Sequence, residues 1–295
     1  MKQKNPLVSF VVPTHNNINT LEQTLVCLSN QTYSNTEIIV VNDGSVDDTK
    51  QILKSYEYRD IILINLPGNF GHSLASNVGI ARAKGDFLGL MDDDIWIDPN
   101  WTETILDIMH GLPSDVSIVQ PKVIENNQVS RTNKGYTQII QTCGVLAKTA
   151  HIQEIGGYDE SYFAWVNDME LAANLLNQGY RIYCDPSVEV IHKSTAWSGG
   201  ELSPIKTYYY TRNYVWYYWK YYGKISSHFY ILSHFLFAGR RAIENETFSS
   251  FVKGAIASFK LFKKYYFDER IEDSNLEYTL FTDKPFRKLI KKVRD

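Results

Sequence analysis

Three adjacent carboxylates, Asp92, Asp93 and Asp94, follow the apolar segment Phe87 to Met91. Neighbouring carboxylates repel one another, so their charge is costly unless a cation or solvent neutralises it. Carboxylate oxygens suit Mg²⁺ and Mn²⁺, which also bind the oxygens of phosphate groups. The triplet therefore indicates a divalent-cation site beside a phosphate-bearing ligand, although a solvated acidic turn ahead of a helix at Asp98 would have the same pattern.

Two more polar clusters stand at the ends of apolar runs. Thr14 and Asn16 follow the run that ends at Val12, and Asp43 follows the run Glu37 to Asn42. Ligands of parallel α/β sheets lie beyond the carboxyl ends of the strands, where such side chains meet. A carboxylate there can accept a hydrogen bond from a pyrimidine N3–H, so Asp43 is a candidate for holding a nucleotide base. A plain turn before a helix is the other interpretation of Asp43.

Alternating apolar runs and helical patterns must position these clusters. We predict one helix that begins at Asn19, with Glu22 completing a capping box, and a second at Ser45, with Asp48 in the same relation. The predicted strands run Leu7 to Val12, Glu37 to Asn42, Asp60 to Asn65 and Asp86 to Met91, and a third helix runs from Leu74 to Ala83. This alternation predicts an α/β fold with a parallel, nucleotide-binding sheet.

Further strands and helices are mixed in residues 101–203, and the composition changes after them. Extended segments are predicted at Val116 to Gln120, Cys143 to Ala147, Arg181 to Cys184 and Val188 to His192, with a helix over Asn167 to Gly179. We therefore expect one domain over 1–203, with a nucleotide-binding half (1–100) and an acceptor-binding half (101–203), followed by a helical region over 204–295.

An aromatic stretch marks the start of this last region. Ten of the 15 residues from Tyr208 to Tyr222 are tyrosine or tryptophan. Both residue types favour boundaries between apolar material and water, and Lys220, Lys224 and the pair Arg240-Arg241 lie close in sequence. A helix over Ile205 to Tyr222 could therefore rest on the inner surface of a membrane. A homodimer interface or a packed helical region explains the same pattern equally well.

The overall composition excludes several classes of protein. With 44% hydrophobic and 21% charged residues, the chain of 295 residues is neither disordered nor a coiled coil. Its net charge of −3 does not indicate a nucleic-acid partner, although Lys and Arg outnumber Asp and Glu by 13 to 9 from Arg240 onward. Three cysteines without a CxxC pair, and no signal sequence, predict a cytoplasmic protein.

Five motifs occur in order along the first part of the chain. They are Pro13-Thr14-His15-Asn16, Gln31-Thr32-Tyr33, Glu37-Ile38-Ile39-Val40-Val41-Asn42-Asp43-Gly44-Ser45, Asn77-Val78-Gly79-Ile80 and Leu90-Met91-Asp92-Asp93-Asp94. This order resembles that of family 2 glycosyltransferases with the GT-A fold, closely over residues 1–100 and more loosely as far as His192. The resemblance implies a GT-A fold, a nucleotide diphosphate-sugar donor, and Mn²⁺ or Mg²⁺ as cofactor.

The same resemblance assigns the donor side of the site. It implies that Thr14 and Asp43 hold the nucleotide base. It also implies that Asp92 lies at the ribose, that Asp94 ligates the metal ion, and that His192 completes the metal site, although a lone histidine at a strand end is otherwise structural. The remaining donor-side residues that it implies are Asn16 near the base, Asp93 in the acidic triplet, and Asn77 and Lys84 near the diphosphate.

Two later motifs resemble the acceptor side of these enzymes. They are Gly156-Gly157-Tyr158-Asp159-Glu160 and Phe163-Ala164-Trp165-Val166-Asn167-Asp168-Met169-Glu170-Leu171. By resemblance Asp168 is the general base that takes the proton of the acceptor hydroxyl, while Asn167 replaces the usual acid and Trp165 stacks on a sugar. The structural alternative is a helix start with Asn167 as N-cap and Glu170 completing a capping box, and such a start can also carry a catalytic residue.

The stretch Tyr208-Tyr209-Tyr210-Thr211-Arg212-Asn213 resembles bacterial rhamnosyltransferases and related polysaccharide-assembly enzymes. It implies that Arg212 meets the donor diphosphate and that dTDP-rhamnose is the first expectation for the donor. UDP-galactofuranose, UDP-hexoses and UDP-N-acetylhexosamines stay open. The expected acceptor is a growing cell-surface glycan, free or linked to a lipid.

Two rival functions remain to be weighed against a glycosyltransferase. A catalytically inactive relative that binds a nucleotide or a glycan is compatible with the departure at Asn167. A nucleotidyltransferase is disfavoured, because the segment Leu7 to Asn17 lacks the glycine-rich basic motif that it would need.

Overall fold

The computed structural model describes residues 5–56, 61–125, 128–130, 133–193 and 203–271. Within these ranges the chain forms an open, mixed α/β sheet flanked by helices, followed by a helical region. Asp60, the first residue of the third predicted strand, lies outside the described residues. The segment 272–295 of the predicted helical region lies outside them as well.

The first half of the sheet is parallel, as the sequence predicts. Its strands are β1 (Val8–Thr14), β2 (Thr36–Asn42), β3 (Ile61–Asn65) and β4 (Phe87–Leu90), and its helices are α1 (Ile18–Ser29), α2 (Thr49–Tyr56) and α3 (His72–Arg82). The strand order is β3-β2-β1-β4, and β1 pairs in parallel with both β2 and β4. Every residue of β1 is buried, as expected of a strand whose sheet is covered on both faces.

The capping boxes predicted at the starts of α1 and α2 do not form. α1 begins at Ile18 with Asn17 in the N-cap position, so the capping box predicted at Asn19 does not form. α2 begins at Thr49 instead of Ser45. The backbone amide of Thr49 donates a hydrogen bond to Oδ1 of Asp47. The sequence patterns located both helices but not the residues at which they start.

The second half makes the sheet mixed. Its strands are β5 (Ile95–Trp96), β6 (Val116–Glu125), β7 (Gln128–Ser130), β8 (Gly135–Thr137), β9 (Val145–Lys148) and β10 (Arg181–His192), with helices α4 (Trp101–His110), α5 (Thr149–Glu154) and α6 (Asn167–Asn177). The order continues as β4-β9-β6-β10-β5, and β9 runs antiparallel to β4. The two strands predicted over 181–192 are one strand, whose pairing with β6 shifts register between Asp185 and Glu189.

The end of β10 lies beside the acidic loop that follows β4. His192 pairs with Ile95 of β5 in antiparallel register, and the amide of Lys193 donates to the carbonyl oxygen of Asp94 at 2.8 Å. These backbone contacts join two segments that are far apart in sequence. They bring the imidazole of His192 to the carboxylates after β4.

A close contact between α3 and the sheet fixes another part of the site. A Cβ atom on Gly79 of α3 would lie 2.4 Å from Cγ1 of Val11 in β1, closer than real side chains approach. The glycine therefore lets α3 pack tightly on the sheet. Its first residue, His72, is thereby held near the carboxyl ends of the strands.

The helical region contains α7 (Pro204–Tyr221), α8 (Lys224–Glu244) and α9 (Phe248–Ser258), followed by a 3-10 turn (Phe259–Leu261) and a π-helical turn (Lys264–Asp268). At the start of α7, Oγ of Ser203 accepts a hydrogen bond from the amide of Lys206, and Pro204 occupies the first helical position. Among the residues that the structure describes, no helix combines the length and apolar character of a bilayer-spanning segment. The domain boundary at residue 203 stays a prediction.

The aromatic stretch forms an interior cluster. Trp216, Tyr217, Tyr218, Trp219 and Tyr221 are each at most 5% exposed, and they pack with Tyr162, Tyr230 and Tyr265. Lys220 is buried as well, with Nζ 2.8 Å from Oε1 of Glu170. The expectation that this helix rests on a membrane is therefore corrected, because these side chains pack the helical region against the sheet domain.

Candidate active site

Side chains from several strand ends meet in one cleft. It has a volume of about 250 Å³ and lies at the carboxyl ends of β1, β2 and β4. Seven residues that the sequence singled out line it: Thr14, Asp43, Asp92, Asp93, Asp94, Trp165 and His192. The other six, which are Asn16, Asn77, Lys84, Asn167, Asp168 and Arg212, are not among its lining residues.

Asp92, Asp94 and His192 form a group that could hold a metal ion. Each offers one ligand atom, and these atoms lie within 4.8 Å of one another. His192 Nε2 is 3.0 Å from Oδ1 of Asp94 and 3.6 Å from Oδ2 of Asp92. Two carboxylate oxygens and an imidazole nitrogen are a donor set that suits a divalent cation.

Negatively charged carboxylates surround His192. Burial alone would lower its pKa, but the hydrogen bond with Asp94 and the charges of Asp92, Asp94 and Glu125 raise it to about 9. Without a cation, His192 therefore carries a proton that offsets part of the carboxylate charge. A metal ion would have to displace this proton, because an imidazole binds metals in its neutral form.

Asp93 faces the end of β1. Its Oδ2 accepts a hydrogen bond from Oγ1 of Thr14 (2.6 Å), and its Oδ1 accepts one from Nδ2 of Asn17 (2.7 Å). Burial and the charges of Asp94 and Asp92 raise the pKa of Asp93 to about 7, although both hydrogen bonds oppose this shift. Asp93 thus fastens the acidic loop to the end of β1 through Thr14 and to the start of α1 through Asn17, a residue that the sequence analysis did not single out.

Asp43 holds the loop that leads into α3. Its Oδ1 accepts a hydrogen bond from the amide of Phe70 and its Oδ2 accepts one from the amide of Gly71, both at 2.8 Å. Gly71 has φ +94, and a Cβ atom on it would lie 2.4 Å from the carbonyl oxygen of Phe163. Only glycine fits there without strain, so the wall of the cleft depends on this residue. Each oxygen of Asp43 keeps a second lone pair for a ligand.

His72 ends the segment Asn69 to His72, which by resemblance passes under the donor diphosphate, and it links the two sides of the site. Its Nε2 is 3.5 Å from Oδ1 of Asp92, and its Nδ1 is 3.0 Å from Nδ2 of Asn167. If the amide donates to Nδ1, the ring proton stands on Nε2 and faces Asp92. Burial opposes the charged imidazole, but the hydrogen bond to Asp92 and the surrounding carboxylates raise its pKa above the ordinary value.

The loop before α6 has unusual backbone angles. Trp165 and Val166 have φ values of +57 and +64, a conformation that costs free energy in residues other than glycine. Nδ2 of Asn213, in α7, donates to the carbonyl oxygens of Ala164 (2.8 Å) and Trp165 (2.9 Å). Because Asn213 is fully buried, water does not compete for these two hydrogen bonds, and they stabilise the loop.

Asp168 stands in the first turn of α6. Thr142 donates to it twice, from Oγ1 to Oδ1 (2.6 Å) and from its amide to Oδ2 (3.2 Å). Burial raises the pKa of Asp168, as does the charge of Asp92, while the Thr142 hydrogen bonds and the charge of His72 oppose the shift. Asp168 therefore lies within electrostatic reach of the acidic cluster, although it does not line the cleft itself.

The capping box predicted at the start of α6 does not form. Asn167 is already helical, Val166 takes the N-cap position, and no side chain caps it. The side-chain amide of Asn167 contacts Nδ1 of His72. Oε1 of Glu170 accepts hydrogen bonds from Lys220 (2.8 Å) and Tyr221 (2.7 Å). Asn167 and Glu170 therefore make tertiary contacts in place of the local hydrogen bonds of a capping box.

Asn16 and Asn77 connect loops instead of facing the cleft. Oδ1 of Asn16 accepts a hydrogen bond from the amide of Val46 (2.8 Å), which ties the ends of β1 and β2 together. Asn77 bonds both backbone groups of Tyr158, with Nδ2 donating to the carbonyl oxygen (2.8 Å) and Oδ1 accepting from the amide (2.9 Å). Both residues support the site from outside it.

Lys84 and Arg212 do not line the cleft. The amide of Lys84 donates to Oε1 of Glu37 at the amino end of β2, so this lysine belongs to the edge of the sheet opposite the cleft. Arg212 donates from Nη2 to the carbonyl oxygen of Ser161 (3.1 Å), and its guanidinium carbon lies 4.1 Å from the centre of the Trp216 ring. The guanidinium also lies 4.7 Å from the Tyr209 ring, which stacks on Phe163 in the wall of the cleft, so the expected contacts of Arg212 and Lys84 with a diphosphate stay predictions.

Solved structures with the same fold include two complexes. TarS of S. aureus in complex with UDP-GlcNAc has a TM-score of 0.60 and 17% identity, covering 84% of this chain and 79% of that chain. The mannosyltransferase PcManGT of Pyrobaculum calidifontis, in complex with GDP-Man and Mn²⁺, has a TM-score of 0.58 and 14% identity, covering 99% of this chain and 80% of that one. These similarities confirm the GT-A-like architecture.

Proteins that are similar to this chain in sequence are named as glycosyltransferases. An uncharacterized glycosyltransferase of Rickettsia prowazekii is 31% identical over 192 residues, which are 58% of this chain and 59% of the relative. Glycosyltransferase GlyA of Streptococcus pneumoniae is 32% identical over 112 residues, 38% of this chain and 16% of the relative. This chain therefore spans less than two thirds of the length of either. The profile of Glycosyl transferase family 2 matches residues 9–156, half of the chain, and the chain belongs to that family.

Proposed function

We propose that this chain is an inverting glycosyltransferase, which moves a sugar from a nucleotide diphosphate-sugar to a hydroxyl group of a glycan. One observation carries the proposal: His72 contacts Asp92 of the metal-ligand group and Asn167, the neighbour of Asp168. The proposed holder of the leaving diphosphate and the proposed base for the attacking hydroxyl are thus linked through His72 and Asn167 and lie within electrostatic reach of each other.

The donor side would use the acidic loop and the end of β10. Asp92, Asp94 and His192 would hold a divalent cation, which when bound stabilises the negative charge on the leaving diphosphate. The proposed cation is Mn²⁺ or Mg²⁺, because both suit carboxylate oxygens, and Mn²⁺ is the one used in the tests below. Asp43 would accept a hydrogen bond from the base through a remaining lone pair.

On the acceptor side, Asp168 would take the hydroxyl proton onto a carboxylate oxygen. At the same time the hydroxyl oxygen forms its bond to the anomeric carbon, and the bond from that carbon to the diphosphate breaks. The two hydrogen bonds from Thr142 hold the carboxylate in one orientation. Its raised pKa brings it nearer to neutral pH, where a general base is most effective. Trp165, in the wall of the cleft, offers a ring for the sugar.

The donor sugar that we propose first is rhamnose, from dTDP-rhamnose, on the sequence of residues 208–213 alone. UDP-galactofuranose, UDP-hexoses and UDP-N-acetylhexosamines are the alternatives, and TarS and PcManGT were solved with UDP-GlcNAc and GDP-Man. The proposed acceptor is a growing glycan or a lipid-linked glycan. Cys27, Cys143 and Cys184 all have free thiols, which supports a cytoplasmic location.

A ligand screen tests the proposal. Thermal unfolding would be followed with each of these nucleotide-sugars, with Mn²⁺ or with EDTA. We expect one donor to raise the unfolding temperature in the presence of Mn²⁺ only, because a ligand that binds the folded state alone stabilises it. His192→Ala should abolish the shift, and Lys50→Gln, an exposed change elsewhere in the sheet domain, should not.

Turnover of the selected donor then separates an enzyme from an inactive binding relative. An active transferase should release the nucleotide diphosphate in the presence of Mn²⁺, even when only water accepts the sugar. If no donor stabilises the protein, the donor assignment is wrong. If a donor binds but is never cleaved, with or without glycan acceptors, the chain is a binding protein.

A further inference from the structure

The outer faces of α8 and α9 are apolar. Along α8 the exposed apolar side chains are Ile225, Phe229, Leu232, Leu236 and Ile243, and from α9 onward they are Phe248, Val252, Ile256, Phe259 and Phe267. Ile225 is 89% exposed, Leu236 71% and Ile256 68%. Spacings of three, four and seven residues place the five residues of α8, and Phe248, Val252 and Ile256 of α9, on one side of their helix, while Phe259 and Phe267 lie in the turns after α9.

The inner faces of the same helices carry smaller or more polar side chains. The buried residues of α8 are Ser227, Tyr230, Ser233, His234, Gly239 and Ala242, and those of α9 are Gly254, Ala257 and Ser258. At Gly254, an added Cβ would lie 2.5 Å from the carbonyl oxygen of Tyr208 in α7. These helices therefore expose large apolar side chains, whereas most of the side chains that they bury are small or polar.

Basic residues accompany the exposed apolar ones. Between residues 224 and 268, seven are basic (Lys224, Arg240, Arg241, Lys253, Lys260, Lys263 and Lys264) and three are acidic (Glu244, Glu246 and Asp268), in a chain whose net charge is −3. Lys253, Lys260 and Lys263 are exposed among the apolar residues of α9 and the turns after it. Positive charge is thus concentrated beside the apolar side chains of this region.

We propose that these outer faces of α8 and α9, the apolar-basic face, dock onto an anionic lipid surface, with the helices lying in its plane. Apolar side chains that enter the headgroup region, with lysines beside them for lipid phosphates, are the two attractions that bind a helix to such a surface. The charge argues against a second copy of the same face, because it would bring two basic surfaces together. The docking surface does not involve α7, and it does not depend on the proposed transferase activity.

Vesicle binding tests this inference with the full chain. Sedimentation would compare vesicles of phosphatidylcholine with vesicles of equal parts phosphatidylcholine and phosphatidylglycerol. We expect binding to the anionic vesicles only, weakened by salt. Lys253→Gln with Lys260→Gln should lower the partition coefficient about 25-fold, because one basic residue near an anionic surface contributes about fivefold. Leu232→Gln with Leu236→Gln should lower it by at least about tenfold.

A matched control changes two exposed cations of the sheet domain, Lys50→Gln with Arg82→Gln, and should bind as the unaltered protein does. Circular dichroism would establish that every variant is folded. The inference is overturned if the unaltered protein ignores anionic vesicles, or if the α8 and α9 variants bind like the control. It is also overturned if light scattering shows a dimer that the Leu232 and Leu236 changes dissociate while no vesicles bind, because the occupant is then a second copy.

Discussion

Nδ2 of Asn213 lies 2.9 Å from the carbonyl oxygen of Trp165, and it donates a hydrogen bond across the boundary between the helical region and the sheet domain. The same atom bonds the carbonyl oxygen of Ala164. The loop that α7 holds in this way ends one residue before α6, the helix that carries Asp168. The C-terminal helices are thus part of the scaffold of the candidate site.

Asn213→Ala should destabilise the protein by about 1–3 kcal/mol, because it leaves two carbonyl oxygens without this donor. Asn213→Asp should cost more, since a carboxylate cannot donate to either oxygen and would stand beside both. Urea unfolding measures both changes. The control is Asn245→Ala, at the half-buried C-cap of α8, where Nδ2 donates to the carbonyl oxygen of Arg241 alone and we expect a change of at most about 1 kcal/mol. Equal stabilities of the Asn213 and Asn245 variants would contradict this role.

Lys220→Met should lower the free energy of unfolding by about 3–5 kcal/mol, because it leaves the fully buried Glu170 without its cation. Adding Glu170→Gln removes the uncompensated charge and keeps an acceptor for the hydroxyl of Tyr221. The double variant should therefore be more stable than Lys220→Met alone. A double variant that is less stable than either single one would show that the pair is not coupled as the structure indicates.

His234 should make the protein less stable in acid. Burial lowers its pKa to about 4 from an ordinary value of 6.5, so the unfolded chain binds a proton at a higher pH than the folded one. Stability is therefore unaffected above pH 6.5 and falls as the pH drops toward 4, by about 2 kcal/mol at pH 5. Urea unfolding at both ends of this range should show that His234→Phe removes this loss and that His228→Gln, at an exposed site, does not. If His234→Phe loses as much stability between pH 6.5 and pH 4 as the unaltered protein does, other groups cause the loss.

Mn²⁺ binding should depend on the residues of the metal-ligand group. His192→Ala and Asp94→Asn each remove one ligand atom, and we expect the affinity, measured by calorimetry, to fall by at least about 100-fold, because changes to the residues that merely orient ligands already cost about 10-fold to 100-fold. Asp93→Asn is the comparison, because Asp93 bonds Thr14 and Asn17 and lies outside this group. Its effect should be several times smaller. If Asp93→Asn weakens binding as much as His192→Ala does, the ligand set is different from the one described.

The sequence predicted the parts of the site that local patterns determine. Apolar runs located β1, β2 and β4, and a parallel sheet brings their carboxyl ends to one edge, so Thr14, Asp43 and the acidic triplet were found. The motif order also identified the fold. These features depend on strand periodicity and on the handedness of βαβ connections, which a single sequence displays.

Contacts between distant segments could not be predicted in this way. Asn167 was expected to cap its own helix, but its amide contacts His72, and the helix begins after a left-handed Val166 instead. The motif that contains Asn77 is a helix, but the pattern did not show that this side chain faces Tyr158. Lys220 lies among aromatic residues in the sequence, and only the fold shows that its partner is Glu170.

The most direct measurement compares Asp168→Asn with the unaltered protein, using the donor that the thermal screen selects. Calorimetry would give the donor affinity with Mn²⁺, and release of the nucleotide diphosphate with acceptor present would give kcat. We expect the affinity to be unchanged and kcat to fall by about 100-fold to 10,000-fold, the usual contribution of a general base. Turnover close to that of the unaltered protein, with donor affinity retained, would show that Asp168 does not deprotonate the acceptor.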